Sequence, residues 1–132
     1  MEENIVNKAG AGMKVSRIYG FQAAGGETLV FVDRLYPRGI SKDQMAGVHW
    51  LKDIAPSAGL RRWYHAGPEQ RFDEFAARYR EELQGEVQQA AMAQLRSWQQ
   101  VGEVCLLTAV KHPQRSHISV LLEVMGEPFV TD

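Results

Sequence analysis

Two nearly unbroken apolar runs stand out along the chain, Leu29-Val30-Phe31-Val32 and Val104-Cys105-Leu106-Leu107-Thr108-Ala109-Val110. A strand covered on both faces needs apolar residues at every position rather than at every second one, so both runs are expected as central strands. Ahead of them, Val15, Arg17 and Tyr19 alternate with Ser16 and Ile18, which predicts a short first strand, and Ala23-Ala24-Gly25-Gly26 supplies the turn that follows. Helical spacing begins later. Phe72, Phe75, Ala76, Tyr79 and Leu83 form one stripe with charges on the opposite face, and Pro68 fits the first position of that helix with Glu69 beside it. Gly85 separates this helix from a second one carrying Val87, Ala91, Leu95 and Trp98, which Gly102 ends. Ile118, Leu121, Leu122 and Met125 predict a final helix with Ser116 as its N-cap and Gly126 as its stop.

The segments between are less regular. Pro37 and Gly39 demand a turn in Tyr36-Pro37-Arg38-Gly39, and Ser41 then stands where it would N-cap a short helix through Met45. The segment Trp50-Leu51-Lys52-Asp53-Ile54, ended by Pro56, reads as extended. Ser57 fits the N-cap of a helical turn carrying Leu60, Trp63 and Tyr64, with Gly67 closing it. The expected architecture is a single α/β domain: a small mixed, mainly buried sheet with helices packed on both faces. Residues 1–13, ending in Ala9-Gly10-Ala11-Gly12, read as a flexible tail, and residues 14–132 as the domain.

The composition agrees with one ordinary core. The chain has 132 residues, 45% of them hydrophobic and 23% charged, enough apolar side chain to offset the entropy of ordering the backbone. Its 15 basic and 16 acidic residues leave a net charge of -1, which argues against binding nucleic acid through bulk charge but permits a local basic pocket. The single cysteine, Cys105, lies inside an apolar run and is expected to be buried. Neither a secretion signal nor an apolar stretch of membrane-spanning length is present, so a cytoplasmic protein is expected.

Three stretches carry a family likeness: Val32-Asp33-Arg34-Leu35-Tyr36-Pro37-Arg38-Gly39-Ile40-Ser41-Lys42, then Trp50-Leu51-Lys52-Asp53-Ile54-Ala55-Pro56-Ser57, then Leu60-Arg61-Arg62-Trp63-Tyr64. In order and spacing they resemble the YeaO-like family of uncharacterised bacterial proteins, also called domain of unknown function 488. The resemblance covers roughly residues 14–125 and implies a family, not an activity. In two places the chain departs from the family's pattern. Tyr36 replaces a usual Trp. After the last strand the family commonly has a basic residue, an acidic one, two variable positions, His, and Asn or Ser, whereas this chain has Lys111-His112-Pro113-Gln114-Arg115-Ser116. Lys111 and Ser116 match; His112 and Arg115 stand where the acid and the imidazole would be.

Candidate chemistry collects at strand ends. Asp33 and Arg34 follow one central strand and Lys111 another, and ligands of open α/β sheets bind outside the carboxyl ends of strands. If the two strands run parallel, Arg34, Arg38, Lys111, Arg115 and Ser116 converge on a pocket suited to phosphate or carboxylate, with Asp33 as its acid. The plainer reading of Asp33 is a bridge to Arg34 or Arg38 that fixes the turn. Asp53 is a second candidate carboxylate for general base work, against the plainer reading of an acceptor for turn amides. His49, His65, His112 and His117 lack metal-ligand spacing and read as structural or solvent-facing, no phosphate loop of the GxGxxG or GxxxxGK type occurs, and any cofactor is left unknown. Trp50, Trp63 and Trp98 read as core.

The leading expectation is a protein that binds a small phosphorylated or carboxylated ligand at the strand ends, with turnover left open. The alternative is a non-catalytic interaction or DNA-binding regulatory module using the helical segment. Against DNA, Arg61, Arg62, Arg71, Arg78 and Arg80 interleave with Glu69, Asp73, Glu74, Glu81 and Glu82 as a mixed solvated face. Self-association into a homo-oligomer is left open.

Overall fold

The computed structural model describes residues 12–131. Five strands form one sheet: β1 Met13–Arg17, β2 Thr28–Phe31, β3 Val48–Trp50, β4 Val104–Thr108 and β5 Val130–Thr131, in the order β3-β2-β4-β1-β5. Four helices accompany them: α1 Ala58–His65, α2 Pro68–Glu82, α3 Glu86–Val101 and α4 His117–Met125. This is the expected single α/β domain. Every pairing in the sheet is parallel, rather than mixed. No helix among the described residues is long and apolar enough to cross a membrane.

The two apolar runs occupy the middle of the sheet. β4 is its central strand and is buried at all five positions, including Cys105. β2 pairs with it from Thr28↔Val104 to Phe31↔Leu107, and the Val32 amide extends the ladder by donating to the Leu107 carbonyl at 3.1 Å. β1 begins at Met13, a core residue 1% exposed that the expected tail included. Of the rest of that tail, residues 1–11 lie outside the described residues.

Alternate side chains separate two cores. Val15, Val30, Val32 and Leu106 face the helices, where Tyr79, Leu95, Ile118 and Leu121 meet them fully buried. The opposite face, with Phe31, Cys105 and Leu107, is covered by Phe21, Ile40 and Met45 from connecting loops. Helices therefore pack on one face among the described residues, and loops cover the other, where helices on both faces were expected. The physical reason lies in the connections: the chain between β2 and β3 forms turns instead of the expected helix beginning at Ser41. Ser41 does cap, its Oγ accepting from the Gln44 amide at 3.1 Å while Gln44 Oε1 accepts from the Ser41 amide at 2.8 Å. Gly47, at φ +82, turns the chain into β3 before a helix can propagate.

The segment after β3 also differs from its expected extended form. β3 ends at Trp50, and a 3-10 turn spans Lys52–Ile54. Trp50, expected in the core, is 36% exposed, while Trp63 and Trp98 pack partly buried against the main core. The other predicted caps are present. Ser57 Oγ accepts from the Leu60 amide at 3.2 Å, and the Ser57 amide and hydroxyl donate to the two Glu82 carboxylate oxygens at 2.8 and 2.6 Å, tying the start of α1 to the end of α2. Ser116 Oγ accepts from the Ile118 amide at 3.1 Å at the start of α4.

Candidate functional site

The order of the strands places a crevice between β2 and β4. From β2 the chain moves outward to β3, and from β4 it moves the other way, across β1 to β5. Neighbouring parallel strands whose connections diverge leave a gap outside their carboxyl ends, the usual ligand position in open α/β sheets. Asp33 follows β2 at this point and Ala109 follows β4. A cleft of about 570 Å³ opens there.

Asp33 holds the two strand ends together. Its Oδ1 accepts from the Thr108 hydroxyl at 2.7 Å, and its Oδ2 accepts from the Ala109 amide at 2.8 Å. His117, the first residue of α4, brings Nε2 to 3.2 Å from Asp33 Oδ1 and 3.1 Å from the Val32 carbonyl oxygen. A carbonyl can only accept, so the His117 contact with Val32 requires the proton on Nε2. The Asp33 carbonyl in turn accepts from Trp50 Nε1 at 2.7 Å. Burial pushes the Asp33 carboxyl upward, but the bond and charge of His117 with the Ala109 and Thr108 bonds outweigh it, and the group is held below the usual carboxylate range. No bridge from Asp33 to Arg34 or Arg38 is present among the described residues.

The remaining expected site residues divide. Arg34 lines the cleft, yet its Nε donates to the Pro56 carbonyl at 2.7 Å and its Nη2 to the Ala55 carbonyl at 3.1 Å, so most of the fork clamps the turn before α1. Ser116 lines the cleft with its hydroxyl occupied, donating to the Pro113 carbonyl at 2.6 Å as well as capping α4. Arg38, Lys111 and Arg115 are exposed cleft residues. Arg38 stands in a turn closed by the Ile40 amide and the Pro37 carbonyl, with Gly39 at φ +81 in the third position, as a type II turn requires. Asp53 lies on the exposed 3-10 turn and does not line the cleft.

Several cleft residues escaped the sequence reading. Arg61, assigned to a solvated mixed face, projects from α1 into the cleft, beside Tyr64 and His65 of the same helix. Burial first, then the charges of Arg61 and His117, depress the His65 imidazole below its ordinary value, an indication of positive potential at the site. The lining thus contains five Lys or Arg side chains against the single carboxylate of Asp33, which is already bonded. Arg38, Arg61, Lys111 and Arg115 have no carboxylate ion-pair partner among the described residues. Arg115 instead lies over the Phe72 ring at 4.8 Å. Among the described residues no three His, Cys, Asp or Glu side chains group as metal ligands.

Comparison with known proteins bears on this arrangement. The family profile described as the inactive DUF488-N3 subclade matches residues 12–132. The uncharacterized protein Rv3073c of Mycobacterium tuberculosis is 44% identical over 114 residues, covering 86% of this chain and 93% of the relative. Mb3100c of Mycobacterium bovis matches to the same extent. The uncharacterized protein YeaO of Escherichia coli is 35% identical over 95 residues, 71% of this chain and 79% of YeaO. No solved structure matches the chain.

Proposed function

The chain belongs to the DUF488 family, in the subclade described as inactive, and from that premise we propose that it binds a small phosphorylated or carboxylated ligand at the strand ends without turning it over. The observation that carries this reading is the charge balance of the cleft: among the described residues, four cations without carboxylate partners surround one acid whose oxygens are already occupied. An anion entering there meets guanidinium and ammonium donors that have no competing acid, and charge-assisted bonds to such donors are the stronger kind.

General-base work by a carboxylate would require its proton affinity to be raised toward neutrality. Asp33 is tuned the other way, toward a stably ionised carboxylate that organises the strand ends. In the Lys111-His112-Pro113-Gln114-Arg115-Ser116 segment, the acid and imidazole of the wider family pattern give way to His112 and Arg115. The exchange at the second position removes a carboxylate and that at the fifth adds a permanent cation, which suits retention of an anion better than proton transfer. The helical surface favours a partner less, because two of its cations are paired, Arg78 with Glu74 and Arg80 with Glu123.

Amide chemical shifts recorded during titration with inorganic phosphate, and separately with citrate, test the reading. Saturable shifts confined to Arg38 and residues 109–117 are expected from at least one anion. Shifts scattered over the surface, or none at millimolar anion, would sink it.

A further inference from the structure

The cleft is not only cationic. Seven large hydrophobic side chains are exposed among the described residues, and three of them, Tyr19, Leu35 and Tyr36, line this one cleft. Exposed apolar surface gathered at a charged cleft marks a ligand with an apolar part, since a bare inorganic anion gains nothing from it.

The aromatic groups are not equally available. Tyr64 has a face stacked on Phe75, with centroids 4.4 Å apart. Tyr19 is tied by its hydroxyl, which donates to the Arg38 carbonyl at 3.0 Å, and carries the Arg17 guanidinium 5.2 Å from its ring centre. Trp50 has the Lys52 ammonium over its ring at 4.4 Å. Tyr36 differs: it is 42% exposed, and its ring contact is with Trp50, T-shaped at 5.8 Å and 71°. A T-shaped contact covers at most one face of a ring, so Tyr36 retains a face for a flat group. It is also held in place, because Trp50 is fixed by its bond to the Asp33 carbonyl and Pro37 is buried in the next position. Arg38, on the far side of Pro37, lies in the turn that follows and lines the same cleft.

We propose that the ligand is a nucleotide, with the base stacked on Tyr36 and the phosphate held by Arg38, Lys111 and Arg115. This rests on the anion-binding reading above and adds the ring. An aromatic face and a cation two residues apart in the chain and in one cleft match the two halves of a nucleotide, and stacking on an aromatic side chain tolerates any base. The cleft volume of about 570 Å³ lies within the range of sites for small organic ligands. A free mononucleotide and the 5′-phosphorylated end of a strand present the same chemistry.

Calorimetric titration of the full chain with inorganic phosphate, ribose 5-phosphate, adenosine monophosphate and a 5′-phosphorylated tetranucleotide tests the assignment. Adenosine monophosphate should bind roughly tenfold or more tightly than ribose 5-phosphate. Tyr36→Ala should remove that advantage and leave ribose 5-phosphate unchanged, and Tyr36→Trp should preserve it. A tetranucleotide bound as tightly as the mononucleotide assigns the site to strand ends, and a weaker one assigns it to free nucleotides. Equal affinity for adenosine monophosphate and ribose 5-phosphate in the wild type would overturn the nucleotide while leaving anion binding intact. Absence of binding by all four probes would overturn the nucleotide and the phosphate-binding reading together.

Discussion

The Asp33 carboxylate and the His117 imidazole meet 3.2 Å apart across 84 residues of chain, joining the end of β2 to the start of α4. With Thr108 and the Ala109 amide on the same carboxylate, this contact unites three separate elements at the floor of the cleft. Replacing Asp33 with Ala leaves the Thr108 hydroxyl and the Ala109 amide without their acceptor and the His117 imidazole with the Val32 carbonyl alone. A loss of about 2–4 kcal/mol in urea denaturation is expected, and a loss below 0.5 kcal/mol would remove Asp33 from its structural role.

The same carboxylate gives an acid-side signature. Its folded pKa lies below the ordinary value, so the unfolded chain takes up the proton first and stability falls as the pH drops. The Asp33 contribution is fully present above the unfolded value near 3.8 and is lost as the pH falls through the lower folded value. Stability of the wild type and of Asp33→Asn, compared from pH 6 down to pH 2, should converge toward the acid end. A constant difference across the range would contradict the assignment.

His65 reports the potential of the cleft. Its folded pKa is below 6.5, so it is neutral in the fold where the unfolded chain begins to protonate; stability therefore declines as the pH falls through the unfolded value toward the folded one. Arg61→Met should raise the His65 value, as should phosphate but not chloride at equal ionic strength, in a proton-resonance titration of its ring. No response to either would mean that the anion does not sit near α1.

Arg34 and Lys111 should separate anchoring from binding. Arg34→Met gives up two charged bonds to the Ala55 and Pro56 carbonyls and is expected to cost about 2–3 kcal/mol of stability, with anion affinity changed by less than about threefold at a temperature where it is folded. Lys111→Met should show the reverse pattern. Thermal denaturation and anion titration of both variants decide, and a stable Arg34→Met that has lost affinity would return Arg34 to the ligand.

Gly39 tests the turn from Pro37 to Ile40, which carries Arg38 and follows Tyr36. A Cβ there would meet nothing within 4 Å, so the cost of Gly39→Ala comes from the positive φ alone. About 1 kcal/mol of destabilisation is expected, with weakened anion binding if the turn relaxes. Unchanged stability would mean that the turn is not under this constraint.

The elements legible from sequence were those whose signal is local. The apolar run of β4, the Pro68 start of α2 and the Ser116 cap of α4 each depend on residues a few positions apart, and the structure contains all three. Ser41 carried an equally local capping signal, but Gly47 ended the segment too soon for a helix. The site was legible as far as strand-end position defines it, which brought Asp33, Arg38, Lys111 and Arg115 to one cleft. Bonds made across the fold were not legible. His117 gave no sign of its partners at Val32 and Asp33, and Arg34 read as an available cation because its acceptors are backbone carbonyls, which every residue possesses. Arg61 was hidden for a related reason: a charge among charges on a helix does not reveal that its side of the helix faces a cleft.

Calorimetric titration of inorganic phosphate into the wild type and into the double variant Arg38→Met with Lys111→Met, at low and at moderate salt, tests the central claim most directly. The account predicts saturable binding by the wild type that weakens with salt, and a double variant of near-equal thermal stability whose affinity falls at least about tenfold. Equal binding by the two proteins, no binding by the wild type, or a double variant that loses most of its stability would contradict it.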